Sequence, residues 1–224
     1  MLVTPIKTRP FLPPKDNLDD LLAYITDLQD KDVVVITSKV ISICQGRCVE
    51  KRKHSKEYSK AKLIAREYRT RRRQNGSCGV LGMIPILNRT NAREIHPYAE
   101  GIDESNGNRH FVLLPVDSKT EAVNICSKLK KRFKLKNLTV VITDSCKHHH
   151  LGYGGLIGVA LSYTGLRPLR SYIGSPDIFG RNLSLSVANV ISPLAAAANL
   201  VMGEGAELQP IVIIRNVDIP IQFE

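Results

Sequence analysis

Three short stretches of this sequence gather acids, glycines and small polar residues. They are residues 100–108 (EGIDESNGN), 143–150 (TDSCKHHH) and 202–209 (MGEGAELQ). Each lies beside an apolar run, so each is expected to be a loop on a rigid element, where sites usually sit. The acids of interest are Asp103, Asp144 and Glu204. A carboxylate at the end of a buried strand can point into a crevice. Hard cations such as magnesium take oxygen ligands there, often one or two carboxylates plus substrate phosphates. Gly203 and Gly205 allow close approach of backbone to a phosphate, although the pattern is neither a P-loop nor a dinucleotide fingerprint. From spacing alone, a turn or a helix cap explains each acid more simply than a metal does.

The triplet His148, His149 and His150 raises a second chemistry. Successive side chains of an extended segment point to opposite faces, so the three do not easily ligate one ion. A borderline metal such as zinc can take two of them; a polar loop near an anionic ligand is the simpler reading. In residues 170–186, Arg181 either closes a turn before a helix or grips a carboxylate or phosphate by paired hydrogen bonds.

These residues need elements to hold them. Residues 18–28 have helical spacing at Leu18, Leu21, Leu22 and Ile25, with Asp16 or Asn17 as cap. VVVITSKVISI (33–43) reads as a buried strand that runs into the polar pair Ser38 and Lys39. Residues 50–76 are strongly basic and helical in character, with Arg66, Arg69 and Arg71 to Arg73 forming a patch. A solvated face explains that patch; an anion-docking surface is the alternative, and no groove-reading motif accompanies it. HFVLLPVDS predicts a strand ending at Pro115. A helix follows, capped by Asp117 or Ser118, with Ala122, Ile125, Leu129 and Phe133 on its apolar face. NLTVVITD and QPIVIIRNV predict strands, and LIGVALSY is either strand or helix. DVVVITSKV and LTVVITDSC share a VVIT core that ends in a polar pair.

The chain has 224 residues, enough for one large domain or two small ones. Its formal charge of +11 suits either solubility or an anionic partner. The five cysteines are odd in number and form no CxxC pair, as expected of free thiols in a reducing cytosol. Residues 183–202 are long enough for a membrane span. Asn189, Pro193 and Asn199 instead favour a buried helix with a proline near its first turn, and no signal pattern opens the sequence.

The ordered segments ITSKVISICQGR, GIDESN, VVITDS, TGLRPLRSYIGSPDIFGRNLSLSVANVISPLAAAANLVMGEG and PIVIIRNV resemble the coenzyme F420:L-glutamate ligase family. RPFLPPKDNLDDLL resembles its N-terminal segment. The likeness spans most of the chain, is strongest over 101–217 and is weakest over 49–98. It implies an α+β fold of two interlocked lobes with mixed β-sheets flanked by helices, within a single ligase-like domain over 1–224. It further implies a cytoplasmic homodimer, without membrane or nucleic-acid partners, that joins L-glutamate to a carboxylate acceptor at the expense of GTP, through an acyl phosphate and with magnesium or manganese.

Residue by residue, the resemblance assigns Asp103 and Asp144 to one metal and Ser145 and Glu204 to a second. Ser145 stands where the family has threonine. Nucleotide contacts fall on Arg9, Pro10, Phe11 and Leu12, on Ser38 and Lys39, and on Asn106. They also fall on Met202, Gly203, Gly205, Ala206, Glu207, Leu208 and Gln209 of the third loop. Arg181 and His148 are candidates for substrate contact. Three departures stand out. Ile43 replaces a family lysine, a loss that weakens nucleotide contact unless Lys39 or Arg47 substitutes; Ala99–Glu100 stands where the family has asparagine-alanine before GID; and the loop CKHHHLGYGG appears longer. A deazaflavin of the F420-0 type is the implied acceptor. Two alternatives are a tetrahydrofolate-type acceptor and a non-catalytic relative that binds anions or nucleic acid.

Overall fold

The computed structural model describes residues 1–51, 63, 67, 102–148 and 155–217, with the side chains of Lys147 and His148 excepted. Most of the basic segment 50–76, Cys78, Gly101, the Ala99–Glu100 departure, His149 and His150 lie outside the described residues.

The chain divides into two compact units. The first comprises Met1–Pro10, Asn17–Val40 and Asp117–Glu224; the second comprises Phe11–Asp16 and Ile41–Val116. The expected mixed α+β content is present.

In the first unit, five strands form one mixed sheet. They are β1 (Leu2–Ile6), β2 (Val33–Thr37), β5 (Thr139–His148), β6 (Gly155–Thr164) and β9 (Ile211–Arg215), in the order β1-β9-β2-β5-β6. Only β2 and β5 run parallel. The two VVIT segments are these neighbours, in register from Val34↔Val140 to Thr37↔Thr143. A near-continuous apolar run is what a strand buried on both faces requires. One face, with Val33, Val35, Val141, Val212 and Ile214, packs on helix α4 (Ile191–Met202) through Leu194, Ala195, Ala198 and Met202. The alternate residues Val34, Ile36, Val140 and Ile142 are buried too. Helix α3 (Ser118–Phe133) packs against β5 and β6 and buries Ala122, Ile125 and Leu129.

Local chemistry sets the helix ends. Of the two candidate caps for α3, Asp117 serves: its carboxylate accepts from the Thr120 N–H at 3.0 Å and from the Thr120 hydroxyl at 2.7 Å. In α4, Pro193 lies in the first turn, where a missing N–H costs little, and the Asn189 side chain accepts from the Ser192 N–H. No helix among the described residues is long and apolar enough to cross a membrane. Two expected elements differ. Helix α1 (Leu18–Ala23) is shorter than the predicted 18–28 because the N–H groups of Tyr24 and Ile25 reach back only three residues, to Leu21 and Leu22, and tighten its end. The strand expected over 33–43 stops at Thr37, and Ser38–Cys44 is helix α2.

The second unit holds β3 (Cys48–Glu50) paired with β4 (His110–Val112), the latter shorter than expected. Its core gathers Leu63, Ile102, Phe111 and Leu113, with Val49 beside them. A second two-stranded sheet, β7 (Leu169–Ser171) with β8 (Val187–Asn189), belongs to the first unit.

Candidate functional site

A row of four isoleucines crosses the main sheet: Ile6 pairs with Ile211, Ile211 with Ile36, and Ile36 with Ile142. Past this row the chain leaves the sheet at one end, and the sequence-predicted residues of the first unit follow it. Arg9 and Pro10 come after β1, Ser38 and Lys39 after β2, Asp144 and Ser145 continue β5, and the 202–209 loop leads into β9. Backbone hydrogen bonds tie these segments together. The Thr8 N–H donates to the Leu208 carbonyl at 2.8 Å, and the Thr37 N–H to the Pro210 carbonyl at 3.0 Å.

A bulge interrupts the β5–β6 pairing between Ile142 and Thr143, just before Asp144. Bulges re-aim the side chains that follow them. Here Ser145 faces Gly158 across the pair, and its hydroxyl donates to Glu204 Oε1 at 2.6 Å. The Asp144 carboxylate accepts from the Ser145 N–H at 2.9 Å. Burial, and secondarily the Asp144 charge, push the neighbouring Cys146 thiol above its ordinary range. Asn199, on the last turn of α4, donates to Glu204 Oε1 at 3.0 Å.

The glycine loop is folded round a carboxylate. Gly203 has φ +73° and Gly205 donates its N–H to Glu207 Oε2 at 2.8 Å. A Cβ on Gly203 would overlap the Glu207 side chain, so the space beside this loop already accommodates an oxyanion. Met202 is buried, whereas Ala206 and Leu208 are exposed and Gln209 half-buried.

Arg9 donates to the Pro10 carbonyl at 3.0 Å and pairs with Asp20 at 3.1 Å. Ser38 is buried and Lys39 half-buried on the first turn of α2. Arg181 lies in a turn, its N–H donating to Asp177 Oδ1 at 2.9 Å. His148 ends β5 opposite Gly155.

The remaining predicted residues belong to the second unit. Asp103 bridges Val112 by two backbone hydrogen bonds, and its Oδ1 accepts from the N–H and the hydroxyl of Ser105, both at 2.8 Å. This Asx turn leads into Asn106, which is exposed at φ +54°. Phe11 is buried, while Leu12 is exposed and donates its N–H to Asp16. Ile43 is 2% exposed and serves the core. The Arg47 guanidinium donates to Glu67 at 2.6 Å and to the Leu114 carbonyl at 3.1 Å.

Sequence reading did not single out Asn199 or Gly158 as site residues. The available signals were a glycine inside an apolar strand, which marks close approach, and an amide one helical turn before the glycine loop.

The donor set is oxygen throughout: the Ser145 hydroxyl and the carboxylates of Asp144 and Glu204. That chemistry fits magnesium or manganese. Among the described residues, no group of three or more His, Cys, Asp or Glu is gathered tightly enough to hold a metal alone. Magnesium held by one or two carboxylates ordinarily completes its coordination with water and substrate phosphates.

A family model described as F420-0:Gamma-glutamyl ligase matches residues 6–216. Curated relatives named coenzyme F420:L-glutamate ligase include those of Methanosarcina mazei, Archaeoglobus fulgidus and Haloarcula marismortui. The first is 29% identical over 93% of this chain and 83% of its own length. The second is 29% and the third 33% identical, each over 97% of this chain and 88% of its own length.

Proposed function

Because the chain belongs to the F420-0:gamma-glutamyl ligase family, we propose that it joins L-glutamate through an amide bond to a deazaflavin acceptor of the F420-0 type, using GTP and a divalent cation. In the first step a carboxylate oxygen of the acceptor attacks the γ-phosphorus and the bond to GDP breaks. In the second, the glutamate amine attacks the acyl phosphate carbon, phosphate leaves, and the amine loses a proton. Asp144 would hold one divalent cation, and Ser145 with Glu204 a second. Magnesium or manganese supplies charge neutralisation to the transferring phosphoryl group.

The observation that carries this reading is the 2.6 Å Ser145–Glu204 hydrogen bond at the sheet end shared by Arg9, Ser38 and the glycine loop. It gathers oxygen donors beside backbone able to face phosphates. The +11 charge suits a set of anionic substrates. A homodimer is part of the proposal. Ile178, Phe179 and Leu185, each at least 88% exposed on the segment between β7 and β8, supply apolar surface for it.

The test is a mass-spectrometric assay with GTP, magnesium or manganese, L-glutamate and F420-0, and with a reduced folate as a parallel acceptor. A nucleotide- and metal-dependent product one glutamyl unit heavier than F420-0 is expected. Product with the folate alone would replace the acceptor. No product with either, from folded protein beside a working control ligase, would overturn the reading.

A further inference from the structure

We propose that Asn199 is a positioning residue that sets the Ser145 hydroxyl and the Glu204 carboxylate for a divalent cation; this rests on the ligase reading above. The amide of Asn199 donates to Glu204 Oε1 at 3.0 Å and reaches Ser145 Oγ at 3.4 Å, while Ser145 itself donates to the same Oε1. Both donors meet on one carboxylate oxygen, and Oε2 accepts from none of the described residues. That oxygen is the one presented to a cation.

Asn199 also grips the loop through its main chain, since its carbonyl accepts from the Gly203 N–H at 3.2 Å. The residue that orients Glu204 thus anchors the turn that carries it. Gly158 makes this possible. A Cβ there would overlap Asn199 Cβ and stand 2.6 Å from the Ala195 carbonyl oxygen. With glycine at that position, α4 packs close to β6 and brings the amide to the strand residue opposite Gly158, which is Ser145. Partners that orient metal ligands are worth about 10- to 100-fold in metal affinity.

The experiment titrates manganese into the full chain with GTP present, following the signal of free manganese by electron paramagnetic resonance. It compares wild type, Asn199→Leu (the same branched outline, without a donor), Asn199→Ala and Glu204→Ala. Both Asn199 variants are expected to bind manganese about 10- to 100-fold more weakly. Excess manganese should restore their ligation rate, with the KM for L-glutamate unchanged. Asn199→Ala adds no bulk to the α4–β6 contact and serves if Asn199→Leu does not fold. If both variants bind manganese as wild type does while Glu204→Ala loses it, the positioning role is overturned and the ligase reading stands. Weakened binding that excess manganese does not rescue in turnover also overturns it, in favour of a structural role. Equal manganese affinity in wild type and Glu204→Ala removes Glu204 as a ligand and overturns both assignments.

Discussion

Gly158 stands directly opposite Ser145 in the β5–β6 register, and its missing side chain is what brings Asn199 of α4 within reach of the Ser145 hydroxyl. Gly158→Ala places a methyl group against backbone, which cannot swing aside as a flexible side chain can. The expected cost is about 1–3 kcal/mol, the range for overpacking a close contact. Urea denaturation of the variant against wild type measures it.

The family resemblance implies a lysine at the position of Ile43, so Ile43→Lys looks like a repair. The side chain is buried, however, and a charge there must be desolvated or neutralised. We expect the variant to lose about 2 kcal/mol or more without tightening GTP binding. A denaturation curve together with a nucleotide titration checks both halves; tighter binding would restore the phosphate-binding role to this position.

Phe179 and Leu185 are 88% exposed on the segment between β7 and β8. If this apolar surface mediates the proposed homodimer, Phe179→Asp combined with Leu185→Asp converts the protein to monomer. Sedimentation across a concentration series measures it, and a wild-type monomer would remove the dimer from the proposal.

Two exposed aspartates give the acid limb of stability its sign. The Thr120 N–H, then the Thr120 hydroxyl, hold Asp117 below the ordinary 3.8 of an aspartate. The Asn137 N–H, then its side-chain amide, do the same for Asp30. Both folded-state values are lowered, so the stabilisation is complete above the unfolded value and is lost as pH falls through the folded one. Asp117→Asn should flatten the loss of stability below about pH 4. At neutral pH, Asp117→Ala should cost about 1 kcal/mol as a lost helix cap. Denaturation at several pH values reads both.

Arg215 grips Asp32 with two nitrogens, at 3.0 and 2.8 Å, and reaches Asp27 at 3.0 Å. Asp32 is 1% exposed. Arg215→Met leaves that carboxylate buried without its cation and should cost about 3–5 kcal/mol. Adding Asp32→Leu should recover part of the loss, because a buried pair replaced by apolar groups costs less than a broken one. A double-mutant cycle in urea tests this.

The strands and α3 were legible because their signals are local. VVIT followed by a polar pair occurs twice, and the two copies are the parallel neighbours at the centre of the sheet. Asp117 as a cap was one of two local options. Helix α2 was not legible, because Val40, Ile41 and Ile43 follow a strand without a break in polarity and read as its continuation. The acids near the sheet end were visible as residue types next to apolar runs. Their grouping with Asn199 was not, since it depends on the close approach of α4 to a strand 41 positions away from that asparagine at Gly158. A lone amide in an apolar helix carries no local mark of that distance.

The sheet order has a consequence for synthesis. Strand β9 lies between β1 and β2, and among the described residues β1 pairs with no other strand. A nascent chain that stops short of Ile211 therefore leaves β1 without its ladder and Asp32 without Arg215. β1 therefore waits for β9, and the sheet end bearing Arg9, Ser38 and the glycine loop is assembled only after Ile211–Arg215 has been made.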